Sequence, residues 1–513
     1  MSGSSLTFHW LLSCWTSGCA SDIVAFSASL PRWSVRGVHL MFRLTFAAHL
    51  LVLVFISRLS AADRPNVLFI AVDDLNHWVG HLKRNPQTIT PNLDRLASRG
   101  VSFSRAYCAA PACNPSRTAL MSGMRPSTTG IYHNPNDYRP HIPPEQTLNV
   151  WFRNHGYRVT GAGKIYHGGF DRFEDWNDYQ PKQAVRNQGA YSSSDHHGIT
   201  WSVLKGDDDA VADYFTVSYC IEELQKTKRE QPFFLACGIY RPHMPWSVPK
   251  KYFDLHPLAD IQLPPHRDDD LNDIPEVGIR TAKPTGDHKA IVDAGAWKEA
   301  VQAYLAAISY ADAQLGRLLD AFDKSSAKDN TIIVLWGDHG WHLGEKQHWR
   351  KFALWEEATR APLIWVAPGV TARGQICERT VDFLSIYPTL CDLTGVPLPT
   401  HLDGRSIRIL LANPQAEWDQ PALTTHGHNR HAVRSERWRY IRYEDGSEEL
   451  YDHDADPYEW DNLAGRTELA DVKQQLAAAF PKVNHPEVPA GKSAPADKPK
   501  TRQKKQKQKP GKD

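Results

Sequence analysis

The chain has 513 residues, 41 % hydrophobic and 23 % charged, which is room for one large domain and a smaller one in an ordinary globular protein. Its net charge of +1 conceals an asymmetry: residues 491–513 carry eight Lys and one Arg against two Asp, +7, so everything before them sums to −6. A body of that sign excludes nucleic acid as the partner.

Residues 1–62 read as an upstream extension and signal peptide, set apart from the fold. Met41-Phe42-Arg43 is a short basic start and the expected true N-terminus, since residues 1–40 do not fit a signal peptide. Leu44 to Ile56 is an apolar run too short for a transmembrane helix. Ser60-Ala61-Ala62 supplies small residues at −3 and −1, so cleavage is expected after Ala62. No Cys follows, which argues against lipid anchoring. The expectation is an exported protein with no stable membrane anchor. Six Cys remain beyond the signal, at 108, 113, 220, 237, 377 and 391, and export permits disulfides among them.

Pro65 to Val72 is a near-continuous apolar run, expected as a buried parallel strand, and it ends in Asp73-Asp74. Adjacent carboxylates at the carboxyl end of a central strand sit where open α/β sheets bind ligands, and a shared cation makes their repulsion tolerable. Thr90 to Gly100 has a cap, a Pro at N1 and a terminal Gly, a punctuated short helix. A strand from Val101 leads to Cys113-Asn114-Pro115-Ser116-Arg117-Thr118-Ala119-Leu120-Met121-Ser122-Gly123. Pro115 keeps Cys113 out of a helix interior, and the residues from Ser116 favour helix. Cys113 and Arg117 are thus expected near a helix N-terminus, where free N–H groups and the helix dipole receive an anion.

Thr147 to His155 reads as a helix, and Tyr157 to His167 as a strand with a Gly-relaxed turn that delivers Lys164 and His167. Residues 171–230 read as an acidic, aromatic insertion whose Asp207-Asp208-Asp209 is expected as a solvated loop. Pro232 to Ile239 is another buried strand, followed by His243 between two prolines. Residues 252–290 are expected as a long surface loop near the site mouth. Trp297 to Phe322 reads as a long amphipathic helix. The strand Thr331–Trp336 ends at Gly337-Asp338-His339-Gly340, again placing polar ligand types just beyond an apolar strand. His339-x-x-His342 lacks a third ligand at zinc spacing, whereas Asp73, Asp74 and Asp338 form an oxygen-rich set suited to Ca²⁺. From about Trp418 the pattern changes to short strands and a closing helix, Glu468 to Phe480. Past His485 the Pro/Lys/Gln-rich tail is expected to be disordered. It either holds polyanionic glycan loosely or only solubilises. The divisions expected are therefore 63–415, 416–484 and 485–513.

The string from Cys113 to Gly123 resembles the signature of the type I sulfatases, C-x-P-S-R-x-x-L-(x)-(S/T)-G, at every fixed position. The Asn66–Asp74 opening, Gly163-Lys164-x-x-His167, Pro242-His243-x-Pro245, Gly337-Asp338-His339 and Gly344 to Lys351 also resemble family motifs, those around His243 and His339 pointing to the iduronate-2-sulfatase-like branch. Resemblance runs from about Asn66 to Leu463. It implies an α/β fold of alkaline-phosphatase type, with a mixed, mostly parallel central sheet flanked by helices and a small C-terminal antiparallel sheet subdomain. It implies that a formylglycine-generating enzyme oxidises Cys113 to formylglycine, whose hydrate is the nucleophile. One Ca²⁺ would be held by Asp73, Asp74, Cys113, Asp338 and His339, the last standing where many members have Asn. Arg117, Lys164 and Lys351 would surround the sulfate, with Lys346 the rival if the register slips. His243 would protonate the leaving alcohol and His167 would deprotonate the second hydroxyl. The substrate class implied is a sulfated glycan. A phosphomonoester or phosphonate hydrolase on the same scaffold and a non-catalytic polyanion-binding protein stay open as alternatives.

Overall fold

In the computed structural model eight strands build the central sheet; the residues described are 64–227 and 229–491, so the targeting segment and residues 492–513 lie outside them. The strands are β1 (Asn66–Val72), β2 (Val101–Tyr107), β3 (Arg158–Gly163), β4 (Asp178–Gln180), β5 (Phe233–Ile239), β6 (Thr331–Gly337), β7 (Leu363–Val366) and β8 (Gln375–Asp382), in the order β8-β2-β7-β6-β1-β5-β3-β4. Only β7 runs antiparallel to its neighbours. β1 is buried on both faces, which is why its sequence is apolar without alternation. Leu68, Ile70 and Val72 join one core with the long helix Trp297–Lys324, while Val67, Phe69 and Ala71 join the other with residues of the Cys113–Ser122 and Ile386–Thr394 helices.

Register decides where the polar residues emerge. Val72 pairs with Gly337, so Asp73 and Asp338 leave β1 and β6 side by side. On the other side Gly163 pairs with Gly238, and Lys164 leaves β3 at the same edge. A Cβ on Gly163, whose φ is +81°, would lie 2.0 Å from the carbonyl oxygen of Gly238, so only glycine lets these strands close so near the ligand-binding edge.

Residues 422–452 form an antiparallel four-stranded meander, Ala422–Thr425, His431–Arg434, Trp438–Arg442 and Glu448–Asp452, with a helix at Ala470–Ala477. No helix among the described residues is long and apolar enough to cross a membrane. All six described cysteines are free and buried.

Residues 171–230 supply β4, a hairpin (Ala190–His196, Ile199–Leu204) and the helix Asp213–Gln225. Three expectations need correction. Within the acidic triplet Asp208 is tied down, accepting from the hydroxyl of Tyr252 (2.9 Å) and from Gln314 (3.2 Å). Residues 252–290 are not simply a surface loop, because Leu271, Ile274, Val277 and Ala282 pack into a core with Ile441 and Tyr451 of the C-terminal sheet. The tail is ordered as far as Gly491: its backbone donates from His485 to Ser127, from Val488 to Gly130 and from Gly491 to Pro135. Those donors find acceptors in the segment following the Cys113 helix, a pairing no composition rule reveals.

Candidate active site

Cys113 is the first residue of a ten-residue, wholly buried helix that begins after extended Ala112 and ends at left-handed Gly123. Its thiol is 0 % exposed and faces residues delivered by three other strand ends. Sγ lies 3.7 Å from Asp73 Oδ1, 3.8 Å from Asp74 Oδ1, 3.3 Å from His339 Nε2 and 3.1 Å from Lys351 Nζ. Burial alone would raise the thiol, but Lys164, Lys351 and His339 outweigh it and hold it well below its ordinary range.

Each cation meets a carboxylate. Lys164 Nζ donates to Asp73 Oδ2 at 2.5 Å and Lys351 Nζ to Asp74 Oδ1 at 2.6 Å. Burial raises Asp73, yet Lys164 and the other cations overcome it and leave the carboxyl well below the usual range. Asp338 goes the other way: burial, only partly offset by Arg117, pushes it up to about 6. Burial lowers His339, but Asp338 reverses this and raises the ring to about 9.

Arg117 is placed differently from the expectation. It donates Nε to Asp338 Oδ2 (2.9 Å), one N–H to Asp73 Oδ1 (3.1 Å) and two to the carbonyls of Lys164 (2.5 Å) and Ile165 (3.1 Å). With four of its five N–H groups engaged and no exposure, Arg117 holds the two carboxylates in place instead of facing a ligand. Lys346, the rival of Lys351, points away, bonding Asp270 at 2.9 Å and the carbonyl of Glu459. His342 is also outside the cluster, packed against His348 and Trp355. His243 Nδ1 donates to the carbonyl of Met244 (2.6 Å), so Nε2 is turned to Asp74 Oδ2, 3.9 Å away, with 35 % of the side chain open to solvent.

The donor set could hold a divalent cation. Asp74, Cys113, Asp338 and His339 each offer one atom within 4.8 Å of the others, and Asp73, Asp74 and His243 form an overlapping group. Asp74 Oδ2 is buried without a hydrogen-bond partner, an orphan that a cation would satisfy. His339 Nδ1 lies 2.9 Å from the Gly340 carbonyl, to which it must donate, and this aims Nε2 at the cluster as a ligand atom.

Some supporting residues carried no sequence signal. Asp74 has left-handed backbone (φ 59°), pinned by its N–H to Asp338 Oδ1 (2.9 Å) and by the hydroxyl of Tyr304 donating to its carbonyl (2.7 Å). Asn136 accepts from the N–H groups of Tyr132 (3.0 Å) and His133 (2.7 Å), and its carbonyl receives Asn114 Nδ2 (2.6 Å) beside Cys113. Tyr304 looks like helix core and Asn136 like a turn residue until the chain is folded.

Two family models match: one described as Sulfatase over residues 65–396, and N-sulphoglucosamine sulphohydrolase, C-terminal, over 344–485. A protein of Formosa agariphila described as a sulfatase is 40 % identical over 451 residues, covering 82 % of this chain and 87 % of its own length. Human iduronate 2-sulfatase is 31 % identical over 401 residues, 69 % of this chain and 73 % of that one. Among solved structures, the phosphonate monoester hydrolase of Agrobacterium radiobacter superposes with a TM-score of 0.68 at 22 % identity, over 81 % of this chain and 94 % of its own. The fold is alkaline-phosphatase-like, as expected from the motifs.

Proposed function

This chain belongs to the sulfatase family of sulfuric ester hydrolases, and from that premise we propose that it is an exported enzyme cleaving sulfate monoesters of sulfated glycans at residue 113. The observation that carries the reading is the convergence of Lys351 Nζ and His339 Nε2 on Cys113 Sγ, 3.1 and 3.3 Å away, beside Asp73 and Asp74. Human iduronate 2-sulfatase, by its name, acts on a sulfated sugar, which supports the substrate class. The catalytic domain is read as 63–415 and the C-terminal subdomain as 416–484.

Cys113 is the precursor of formylglycine, installed by a formylglycine-generating enzyme; the hydrated aldehyde supplies one hydroxyl to attack sulfur and a second through which sulfate is expelled. Asp73, Asp74, Asp338, residue 113 and His339 would hold one Ca²⁺ per chain, which when bound would supply positive charge to stabilise the anionic transition state. Lys164 and Lys351 add fixed, buried positive charge on the same side, preorganised by their carboxylate partners. Arg117 is a positioning residue that keeps Asp73 and Asp338 in register. His243, whose Nε2 lies at the open side of the site, would deliver a proton to the departing alcohol. His167, which follows Lys164 by three residues, would take the proton of the second hydroxyl.

Two measurements test this. Mass spectrometry of the residue-113 peptide from the exported protein should find a residue about 18 Da lighter than Cys, the change that this covalent modification makes. The likeness to a phosphonate monoester hydrolase favours one rival, so the purified enzyme is offered sulfate, phosphate and phosphonate esters in parallel. Turnover of the sulfate ester is expected to dominate; preference for either phosphorus ester overturns the substrate assignment.

A further inference from the structure

Tyr304 lies on the long helix Trp297–Lys324, fully buried against the chain that leaves β1. A tyrosine hydroxyl has one proton to give and can also accept, and here both capacities are used. It donates to the carbonyl of Asp74 (2.7 Å) and accepts from the backbone N–H of Asn76 (3.0 Å), so one oxygen spans the two residues on either side of Leu75. Asn76 is held from its other end as well. Its Nδ2 donates to the carbonyl of Trp341 (3.2 Å) and its Oδ1 accepts from the N–H of Trp78 (3.0 Å). The ring of Tyr304 is fixed in turn, edge-on to Trp78 at 6.1 Å and to Trp246 at 5.5 Å between centroids.

This clasp closes on a residue whose backbone needs one. Of the candidate ligands Asp73, Asp74, Cys113, Asp338 and His339, Asp74 alone has a positive φ, 59°. A residue with a Cβ is disfavoured there and stays only where its surroundings impose the conformation. The Tyr304 hydroxyl holds the carbonyl end of Asp74, and Asp338 Oδ1 accepts its N–H at 2.9 Å. The backbone of Asp74 therefore joins the two carboxylates, and both offer an oxygen to the cluster with Cys113 and His339. Asp74 Oδ1 lies 2.6 Å from Lys351 Nζ, whereas Oδ2 is buried without a hydrogen-bond partner. On the side of Oδ2 the direction of the carboxylate is thus set from its own backbone.

We propose that Tyr304 is a positioning residue for cation binding: its hydroxyl holds Asp74 in left-handed backbone, which aims the Asp74 carboxylate at the cluster and, through the Asp74 N–H, steadies that of Asp338. The inference rests on the cation-dependent reading of the site and deepens it, because it assigns part of the ion's affinity to a hydroxyl that is not itself a ligand. Without the clasp Asp74 is free to return to the ordinary backbone regions, and its side chain then leaves the cluster. The ion would have to restore the strained conformation as it binds, and the cost of that ordering appears as weaker affinity.

The test is Tyr304→Phe, which removes the hydroxyl and keeps the ring against Trp78 and Trp246. Its control is Tyr310→Phe, on the same helix and equally buried, whose hydroxyl donates to the carbonyl of Asp208 (3.2 Å) outside the cluster. Ca²⁺ is titrated by calorimetry into the chelator-stripped parent and both variants, and melting temperatures are recorded with and without Ca²⁺. Both metal-free variants are expected to melt below the parent, since each leaves a buried carbonyl without its donor. Only Tyr304→Phe is expected to raise the Kd for Ca²⁺, by about 10–100-fold, the scale of losing a hydrogen bond that orients a metal ligand. The gain in melting temperature on adding a fixed concentration of Ca²⁺ shrinks in step with that Kd. A Kd unchanged in Tyr304→Phe, or raised equally in Tyr310→Phe, overturns the positioning role. A parent that binds no Ca²⁺ overturns instead the cation reading on which the role stands, and is told apart from tight binding that ignores the hydroxyl.

Discussion

Lys351 Nζ stands 3.1 Å from Cys113 Sγ and 2.6 Å from Asp74 Oδ1, although 238 residues separate the lysine from the cysteine. Lys346, on the same loop, is held by Asp270 and the carbonyl of Glu459 on the side of the C-terminal subdomain. The two lysines should therefore differ in kind when removed. Lys351→Ala is expected to lower kcat by about 10²–10³, the effect of deleting one preorganised electrostatic group. Lys346→Ala should leave kcat within a few-fold and lower the melting temperature, since it strands buried Asp270. Steady-state kinetics and a thermal scan on both variants check this, and the opposite pattern would exchange their roles.

Cys113→Ala should remove turnover without unfolding the chain. The side chain is small, and the helix that bears it is anchored by its neighbours: Asn114 in the 134–136 turn and Ser116, whose hydroxyl donates to the Asp338 carbonyl at 2.5 Å. Circular dichroism and melting should match the parent. More than a few per cent of residual activity would rule out residue 113 as the nucleophile.

Chelation should act on both activity and stability. An ion that binds only the folded chain contributes about 2.7 kcal/mol at a hundred times its dissociation constant, so dialysis against a chelator should lower the melting temperature and abolish turnover. Ca²⁺ is expected to restore both, and Zn²⁺ not to, because the donors are mainly carboxylate oxygens. Asp74→Asn, at the carboxylate with the orphaned oxygen, should raise the Ca²⁺ concentration needed for half recovery.

Acid should loosen the C-terminal sheet through Glu459. Burial raises this carboxyl, but Arg439 and His453 outweigh it and bring it down to about 2 from an ordinary 4.5. Between those values the unfolded chain binds a proton that the folded chain does not, so the stabilisation is present above about pH 4.5 and is lost as pH falls towards 2. Melting temperatures at pH 5, 4 and 3 should fall in that order. Glu459→Gln, which leaves Arg439 short of a buried partner, should cost about 3–5 kcal/mol at neutral pH and flatten the acid slope. A slope unchanged in the variant would remove Glu459 from the account.

Asn136 ties the C-terminal strap to the Cys113 helix, its Nδ2 donating to the carbonyl of Val488 (2.8 Å) and to Glu487 (3.0 Å). Asn136→Ala strands several buried partners and should destabilise by about 1–3 kcal/mol per unsatisfied group. Denaturant unfolding measures it. A loss equal to that of a surface Asn would mean that the strap does not stabilise this region.

Local signals in the chain were enough for the parts of the molecule that depend on near neighbours. Apolar runs long enough to be buried on both faces became β1, β5 and β6, and the polar residues just past them are the ones that meet. Where a segment's fate depends on distant partners, local composition does not report it. Residues 252–290 look like loop because their Pro and Asp content is high, yet the apolar residues scattered among them are buried by the C-terminal sheet. Residues 485–491 look disordered because they open a tail rich in Pro, Lys and Gln, and are held by backbone donors to residues 127–135.

Thus the amino-acid sequence by itself determined the strands, the Cys113 turn, the candidate ligands and the family, because period, turn chemistry and motif are properties of consecutive residues. Only the tertiary structure decided that Arg117 clamps carboxylates, that Lys351 and not Lys346 reaches Cys113, and that the hydroxyl of Tyr304 reaches Asp74. Those outcomes depend on strand register and on loop ends far apart in the chain, where hydrogen-bond partners and burial are set by packing and not by neighbours in sequence.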